Sequence, residues 1–442
     1  MNDSARTFVL VGLVVVILLA LHLLPTLRID DTELRKVNIL SDILPEYIRE
    51  RDAIDHIPTL PAVAEADSAS GQEVEQHPAL AHFFTQLSRI DELGRPLRIA
   101  YFGDSFIEGD ILSCDLREQL QSRFGGCGVG WVDCGSQTAT FRQTVGHTFS
   151  GLEEYEVVKR PFNKQLESIA QRYFTAPSGQ AHFRYHGVTA RHHLDAWHTS
   201  TFFFRTASGF SLSTSINGDT ATTDYVTPAD HLQTLTQHHN HTRSIAYQVM
   251  DAGVDTYLYG VALEGQRGIV VDNLSMRGSS GVSLGKLPRH VLRQFGAVRP
   301  YDLIIIHFGL NVVNEKSHAA NYKAYTQQMG QAIEHLRVAF PEASILVVSM
   351  PDRDQRTAAG IRTMLGVESL VAYQQIMASE HRVDFFNLFQ AMGGRESMKG
   401  LVDQGLANKD YTHLTFGGGR RLGALLTDYL TEGFNHFKSM QP

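Results

Sequence analysis

The stretch Pro96-Leu-Arg-Ile-Ala-Tyr-Phe-Gly-Asp-Ser105 is an apolar run that ends on glycine, aspartate and a small hydroxyl residue. A helical pattern follows it, so this order predicts a short buried β-strand that delivers Ser105 to the carboxyl edge of a sheet. Open α/β folds hold their chemistry at that edge. A Gly-Asp-Ser triplet also occurs as an ordinary turn, so a catalytic serine needs support from elsewhere in the chain.

That support comes from the far end of the chain, where Asp410-Tyr-Thr-His413 precedes Leu-Thr-Phe-Gly and an apolar-periodic tail. An aspartate three residues before a histidine on a loop can turn back and accept a hydrogen bond from Nδ1 of the imidazole. The Nε2 atom is then left free to act as a general base for a serine. Ser105, Asp410 and His413 therefore form a candidate catalytic triad.

Length and composition narrow the class of protein. A chain of 442 residues is too long for one compact core, so two folded units are expected. The hydrophobic fraction of 43% and the charged fraction of 19% are those of an ordinary globular protein. The net charge of -8, with no basic stripe, argues against a nucleic-acid partner.

Residues 8–24 contain no charged side chain. About 17 residues at roughly 1.5 Å each span about 26 Å, which is the short end of what a bilayer core requires. We expect residues 1–27 to be an uncleaved single-pass anchor in a bacterial-type inner membrane, with the body on the periplasmic or extracytoplasmic side and residues 28–78 as a juxtamembrane spacer. A cleaved signal peptide is the alternative, and the flanking charges do not decide the orientation.

Between residues 136 and 262 the helical periodicity is replaced by short alternating apolar runs, and Asn217-Gly218 is a hairpin signal between two of them. This predicts a β-sandwich inserted into the rest of the chain. Aromatic residues of the insert such as Trp197 could stack on sugar rings, although alternating positions more often form the core. Histidine clusters at 192–193 and 238–241 have only Asp195 as a nearby carboxylate, so no metal site is expected.

Past residue 263, strands alternate with helices, which predicts a parallel sheet with helices on both faces. Two of the strand ends carry residues that could serve a reaction: the amide of Asn311, and the glycine N–H groups after residue 275. Each could equally be an ordinary βα turn. The predicted strands are 268–273, 302–308, 344–349 and 383–386, and the predicted helices are 110–124, 284–295, 322–340, 358–379 and 418–429.

The three cysteines, Cys114, Cys127 and Cys134, fall in one short region. In an oxidising compartment Cys127 and Cys134 could close a small loop, and this is the favoured pair. Three ordinary thiols are the alternative, because an odd number of cysteines never demands a bridge.

Four blocks taken together resemble the SGNH branch of the GDSL hydrolases, in chain order and over residues 79–135 and 263–442. The blocks are Gly103-Asp104-Ser105, Gly278, Gly309-Leu310-Asn311 and Asp410-Tyr411-Thr412-His413. The resemblance implies a three-layer α/β/α, flavodoxin-like fold and serine esterase chemistry without a metal or organic cofactor.

The resemblance also implies a role for each matching residue. Ser105 would be the nucleophile, His413 the base and Asp410 the acid that orients it. The oxyanion donors would be the backbone N–H groups of Ser105 and Gly278 and the side chain of Asn311. Gly281 could replace Gly278 as a donor, and Gly278 is preferred.

The junction Tyr259-Gly-Val-Ala-Leu-Glu264, followed by Gly268-Ile-Val-Val-Asp-Asn273, is similar to that of bimodular envelope esterases, whose hydrolase is interrupted by a jelly roll resembling a carbohydrate-binding module. Peptidoglycan O-acetylesterases are such a group. The implied activity is removal of O-acetyl groups from an acetylated polysaccharide of the cell envelope. A polysaccharide O-acetyltransferase with the same triad and a non-catalytic glycan-binding protein are the alternatives.

Overall fold

The structure is a computed structural model that describes residues 77–314, 317 and 319–441, together with one short antiparallel pair, β1 (Arg28–Ile29) and β2 (Thr32–Glu33). The anchor predicted at residues 1–27 and nearly all of the spacer predicted at 28–78 lie outside the described residues. Within the described part of the chain, no helix has both the length and the apolar character that crossing a membrane requires.

The remaining strands and the helices are listed here in chain order. The strands are β3 (Leu97–Gly103), β4 (Gly130–Asp133), β5 (Gly146–Ser150), β6 (Glu153–Glu156), β7 (Arg172–Thr175), β8 (Ala181–His186), β9 (Trp197–Thr206), β10 (Phe210–Ile216), β11 (Thr222–Val226), β12 (Ala229–Thr242), β13 (Ser244–Met250), β14 (Thr256–Glu264), β15 (Ile269–Ser275), β16 (Leu303–His307), β17 (Ser344–Val348), β18 (Asp354–Thr357), β19 (Gly360–Thr363) and β20 (Asp384–Phe386). The helices are α1 (Ala81–Ser88), α2 (Ser113–Phe124), α3 (Arg289–Val298), α4 (Ala319–Ala339), α5 (Val367–Glu380), α6 (Leu388–Ala391), α7 (Ser397–Asp403) and α8 (Phe416–Ser439).

Five strands form one parallel sheet in the order β15-β3-β16-β17-β20. When these five strands are numbered in chain order, their order across the sheet is 2-1-3-4-5. This is the flavodoxin-like arrangement, in which the strand order reverses direction at the switch point between β3 and β16. Strands β16 and β17 are buried along their whole length, as expected where helices cover both faces. Helix α8 packs against α1 and α2, and helix α4 packs against α3 and α5. The predicted α/β class with a parallel sheet is confirmed.

Two antiparallel sheets pack face to face between β3 and β15. Their orders are β11-β10-β13-β8-β5 and β12-β9-β14-β7-β6, with β4 added to β14. Alternate side chains of these strands, such as Phe183, Leu212 and Tyr247, form an apolar core of their own. The strands of these sheets run from 130 to 264, slightly beyond the limits of 136 and 262 expected for the insert. The predicted turn at Asn217-Gly218 is confirmed, since φ is 55° and 84° at the two residues that follow β10.

The interpretation of Trp197 as an exposed aromatic for sugar stacking is wrong. Only 2% of its surface is exposed, and it belongs to the core between the two sheets. Its Nε1 atom donates to Oγ of Ser200 over 2.7 Å. A buried indole satisfies its polar N–H inside the protein, as this one does, and it has no face left for a ligand.

The predicted disulfide between Cys127 and Cys134 is also wrong, because all three cysteines are free thiols. Strand β4 lies between the two residues and keeps the backbone extended, at about 3.3 Å per residue, which holds them apart. Cys134 is buried in the core between the antiparallel sheets, and Sγ of Cys127 lies 3.4 Å from Nδ1 of His198.

Several predicted helix boundaries are corrected by local backbone geometry. The helix predicted at 358–379 begins only at Val367, because the hairpin of β18 and β19 turns at Gly360, where φ is 106°. The helix predicted at 110–124 begins at Ser113, since Leu112 has a φ of 68°. Pro288 separates a short 3₁₀ turn from α3, and the last helix extends over 416–439.

A buried ionic cluster joins the parallel sheet to the antiparallel ones. Asp272 on β15 accepts from the backbone N–H of Trp131 on β4 over 2.8 Å. Arg299 donates to the same carboxylate from Nε over 2.6 Å and also pairs with Glu264 at the end of β14 over 2.9 Å. The cluster therefore fixes the position of the antiparallel sheets relative to strand β15, which leads to the predicted site.

Candidate active site

The parallel register brings three predicted site residues to one edge of the sheet. Gly103, the last residue of β3, is aligned with Ser275 of β15 and with His307 of β16. Ser105, Gly278 and Asn311 follow these three positions by two, three and four residues. This edge lies at the switch point between β3 and β16, where open α/β sheets form a crevice.

The predicted triad residues are in contact. Oγ of Ser105 lies 2.9 Å from Nε2 of His413, and Nδ1 of His413 lies 2.7 Å from Oδ2 of Asp410. The second oxygen of Asp410 accepts from the backbone N–H groups of Thr412 and His413, each over 3.0 Å. The imidazole is thus held between a carboxylate and a hydroxyl, which is the geometry that a serine nucleophile and its general base require.

The loop that carries His413 is held by its own backbone. The N–H of Asn408 donates to the carbonyl of His413 over 2.8 Å, and the N–H of Asp354 donates to the carbonyl of Tyr411 over 3.1 Å. Tyr411 has a φ of 55°, which turns the chain between the aspartate and the histidine. Thr415 then caps α8 by accepting from the N–H of Gly418. The long closing helix therefore begins shortly after the histidine and anchors the loop.

The pKa values of two aspartates at the site, Asp410 and Asp104, are shifted in opposite directions. Burial raises the pKa of the Asp410 carboxyl, but the hydrogen bonds from the ring and backbone of His413 and from Thr412 outweigh it, so the net shift is downward. Burial raises the pKa of Asp104 to about 6. One oxygen of Asp104 accepts from the N–H of Phe106 over 3.0 Å, and the backbone N–H groups of Phe106, Gly309 and Leu310 oppose the upward pKa shift only in part.

The structure distinguishes Gly278 from Gly281 as a possible donor. The N–H of Gly281 donates to Oγ of Ser279 over 3.0 Å, and a Cβ at Gly281 would lie 2.6 Å from the ring of Phe308. Gly278 is exposed, has a φ of 76°, and has no atom within 4 Å of the place a Cβ would occupy. A ligand can approach the exposed backbone at Gly278, whereas the N–H of Gly281 is already bonded, so the geometry favours Gly278.

Asn311 is oriented by its neighbour. Its Nδ2 atom donates to the carbonyl of Ser279 over 2.9 Å. An amide NH₂ group has two donors, so this bond fixes the side chain and leaves the second N–H for a ligand. Gly309 has a φ of 152° and approaches Met350 so closely that a Cβ there would lie 2.5 Å from the Cβ of Met350.

Sequence reasoning missed the residues that support these loops. Arg353 donates to the carbonyls of Leu310 and Val313 over 2.7 and 3.0 Å and so holds the turn that carries Asn311. Asn273 donates to the carbonyl of Ile107 over 2.7 Å, which ties β15 to the segment after Ser105. Such contacts join segments far apart in the chain, so no local pattern could have indicated them.

A second supporting element is a buried ion pair that joins the segment after the nucleophile to α2. Arg117 on α2 pairs with Asp110 over 2.6 Å, and neither side chain is exposed. Arg117 also donates to the carbonyl of Val271 on β15 over 2.8 and 3.1 Å. The spacing of seven residues between the two charges is the only sequence signal that could have suggested the pair.

Comparison with solved structures identifies the architecture. A structure described as a peptidoglycan O-acetylesterase in action superposes with a TM-score of 0.65 at 20% identity, covering 81% of this chain and 98% of that one. This chain has an SGNH-type hydrolase fold. This chain also has two weaker matches: a family two carbohydrate esterase from Cellvibrio japonicus (10% identity, TM-score 0.28, 66% of this chain and 99% of that one) and a lipase/acylhydrolase from Enterococcus faecalis (17%, 0.26, 38% and 77%).

No protein-family model matches the sequence, and no curated protein matches it. The likeness to the peptidoglycan O-acetylesterase structure therefore establishes the fold of this chain. Its chemistry has to be argued from the residues at the sheet edge.

Proposed function

We propose that this chain is a serine esterase that removes O-acetyl groups from a polysaccharide of the cell envelope, such as peptidoglycan. The observation that carries the proposal is the contact of Ser105 Oγ with His413 Nε2 over 2.9 Å, with Asp410 on the far side of the imidazole. Residues 79–135 and 263–442 supply the catalytic domain, and residues 136–262 position the polymer.

The reaction follows from the protons that these groups can move. Nε2 of His413 takes the hydroxyl proton of Ser105 while Oγ bonds to the carbonyl carbon of the acetyl ester. The carbonyl oxygen becomes an oxyanion that accepts from the N–H groups of Ser105 and Gly278 and from the amide of Asn311. His413 then gives its proton to the sugar oxygen as the ester C–O bond breaks, which leaves an acetylated serine.

A water molecule completes the cycle. His413 removes a proton from it, its oxygen attacks the acetyl carbon, and the same donors hold the second oxyanion. Collapse returns the proton to Ser105 and releases acetate. All of these steps use groups of the chain itself.

The substrate assignment is supported by two observations of different weight. One solved structure of the same fold is described as a peptidoglycan O-acetylesterase, and that activity is a property of that protein. In this chain Arg172 on β7 of the insert donates to the carbonyl of Ser275, the last residue of β15 before Gly278, over 3.0 Å. A polymer held by the insert would therefore lie beside the reacting ester.

Exposure of the triad favours hydrolysis over acetyl transfer. The side chains of Asp410 and His413 are 49% and 37% exposed, so water has access to an acetylated Ser105. A transferase needs an acyl-enzyme protected from water. The glycan-binding alternative without catalysis is disfavoured by the complete Ser-His-Asp contact.

The experiment measures acetate released from O-acetylated peptidoglycan, xylan and alginate, and acetyl transfer to an added glycan. We expect acetate release by the parent, and a loss on the order of a millionfold in kcat for Ser105→Ala and for His413→Ala, because triad members act as a unit. Circular dichroism of each variant checks that the fold is intact. Transfer without acetate release would favour the acetyltransferase, and turnover by Ser105→Ala within tenfold of the parent would remove the serine mechanism.

We further propose that residues 8–24 anchor the chain in the membrane and that the body lies outside the cytoplasm. The apolar length of this segment supports the proposal. Deletion of residues 1–27 should yield an active enzyme that no longer sediments with membranes. Sedimentation of the truncated chain with lipid would require a second attachment.

A further inference from the structure

An exposed aromatic ring of the insert lies against the loop that follows the nucleophile. Phe141 is 44% exposed, and its ring lies against Gly109, four residues after Ser105 in the chain. Gly109 has a φ of 67°, and a Cβ at this position would overlap the ring. The glycine therefore allows the ring to rest directly on the backbone of the loop that follows the nucleophile.

A cavity of about 340 Å³ is lined by Gly109, the residue against which this ring lies. It is bounded on one side by Gly109 and Thr138, close to Phe141 in the chain, and on the other by Ser275 and Gly278 at the end of β15. Sites for small organic ligands have volumes of about 300 to 1,000 Å³. The cavity is thus large enough for a small ligand, and it shares Gly278 with the proposed oxyanion site.

The outer part of the cavity is lined by two ion pairs from different elements. Arg277 pairs with Glu108, which joins the end of β15 to the loop after Ser105. Lys159 pairs with Glu156 of the insert over 2.6 Å. Each charged side chain of these two pairs therefore faces the cavity together with its counter-charge.

The inner part is lined in the same way. Arg172 pairs with Asp133 over 3.0 Å, and Arg142 pairs with Asp110 over 3.2 Å. Asp110 is shared with the buried Arg117, and Arg172 also contacts Glu154 over 3.3 Å. The lining itself holds four basic and four acidic side chains, so it offers many hydrogen-bond donors and acceptors without a net charge.

A lining of this kind selects an uncharged polar ligand. A hydroxyl group both donates and accepts, so it can bond to both members of an ion pair. A carboxylate or an ammonium group would meet a like charge in every pair and would lose its hydration as well. The apolar face of a sugar ring, in turn, can cover the exposed ring of Phe141 and remove apolar surface from water.

We propose that this cavity, with Phe141 at its edge, is a subsite for an uncharged sugar unit of the polymer, next to the unit whose ester is cleaved. The inference rests on the proposed esterase function and specifies its substrate: a glycan that is neutral at the subsite, not a polyuronate. Binding there positions the ester over Ser105, so the subsite contributes to turnover of the polymer and not to that of a small acetate.

Two variants test the subsite, and one serves as a matched control. Phe141→Ala removes the ring, and Lys159→Ala leaves Glu156 unpaired in the cavity. Tyr225→Ala removes an aromatic side chain that is 63% exposed on β11, in the sheet that does not contribute to the cavity. The readout is the ratio of kcat/KM on acetylated peptidoglycan or xylan to that on a chromogenic acetate.

We expect Phe141→Ala and Lys159→Ala each to lower this ratio about tenfold or more, and Tyr225→Ala to leave it unchanged. An equal ratio in all three variants and the parent would overturn the subsite. A higher kcat/KM of the parent on acetylated alginate than on acetylated xylan would overturn the assignment to an uncharged sugar.

Binding by an inactive enzyme separates this inference from the proposed function. Calorimetry with Ser105→Ala should detect xylohexaose or chitohexaose, and Ser105→Ala/Phe141→Ala should bind the same sugar at least about tenfold more weakly. Equal affinity of the two proteins would overturn the subsite even if the parent is an esterase. If the parent releases no acetate but binding depends on Phe141, the esterase proposal fails and the subsite stands.

Discussion

Oδ2 of Asp410 lies 2.7 Å from Nδ1 of His413, while Oδ1 accepts two backbone N–H groups from the same loop. Both oxygens of the carboxylate are therefore engaged within the same short loop. These bonds lower the pKa of Asp410 in spite of its partial burial, so the carboxylate is ionised when it meets the imidazole. The Nδ1 proton is fixed toward Asp410, and Nε2 is left to accept from Ser105.

Asp410→Asn should lower kcat on a chromogenic acetate by roughly 10⁴-fold, which is the effect of the corresponding change in a serine protease triad, with little change in KM. The amide can keep the backbone contacts but presents the wrong partner to Nδ1. Asp403→Asn, on an exposed aspartate at the end of α7, is the control and should keep full activity. A loss below tenfold for Asp410→Asn would mean that the carboxylate does not orient His413.

Asn311→Ala should lower kcat by about 10² to 10³-fold and leave KM nearly unchanged, because an oxyanion donor acts mainly in the transition state. The side chain is already oriented by the carbonyl of Ser279, so little reorganisation is needed when the substrate arrives. Asn435→Ala on the exposed face of α8 is the matched control. A change in KM alone would make Asn311 a residue for ground-state binding.

Asp104 should make stability fall as the pH rises. Its folded pKa is raised by burial to about 6 from an ordinary value of 3.8, so the folded state holds a proton that the unfolded chain releases. Stability is therefore lost between about pH 4 and pH 6, and a shift of about two units corresponds to about 3 kcal/mol. Asp104→Asn removes this titration.

The measurement is urea denaturation of the parent and of Asp104→Asn at pH 4 and pH 7. The free energy of unfolding of the variant, minus that of the parent, should increase by up to about 3 kcal/mol from the lower to the higher pH. The difference at a single pH also contains the effect of the new NH₂ group, so the change with pH is the quantity that tests the prediction. A difference that is constant with pH would show that Asp104 does not titrate in this window.

Arg299→Met should lower the free energy of unfolding by about 3 to 5 kcal/mol, because it leaves the buried carboxylates of Asp272 and Glu264 without this counter-charge. Arg362→Met breaks an exposed pair with Glu396 and should cost at most about 1 kcal/mol. Denaturant titration of both variants provides the comparison. Similar small costs would mean that the junction between the sheets is not held by this cluster.

Local patterns were enough to predict the positions of the site residues along the chain. An apolar run before Gly103-Asp104-Ser105 and another before Gly309-Leu310-Asn311 predict strands, and a strand end places the next residues at a sheet edge whatever the rest of the fold does. The spacing of Asp410 and His413 likewise lets the loop close on itself. These are short-range relationships, and the structure places the residues at the expected strand ends and in the expected loop.

Local sequence patterns of this kind could not predict whether an aromatic residue is buried in the core or exposed to solvent. Trp197 and Phe141 both lie in the stretch between β3 and β15, but the first fills the core between two sheets and the second is exposed beside Gly109. The difference arises from which strands and loops pack together. Likewise, the hairpin of β18 and β19 replaced part of a predicted helix because a local turn at Gly360 outweighed the apolar periodicity.

Short-range patterns in the sequence were sufficient to predict the alternation of strands and helices, the position of the nucleophile after β3 and the Asp-x-x-His loop. Packing of distant segments was needed to bring Ser105 and His413, which are 308 residues apart, to hydrogen-bonding distance. The same packing gathers Asp272, Arg299 and Glu264 into one buried cluster between the sheets. Such long-range contacts depend on the order of strands in the sheet and on which charges must be paired once they are buried. Residues close together in the sequence determine neither of these.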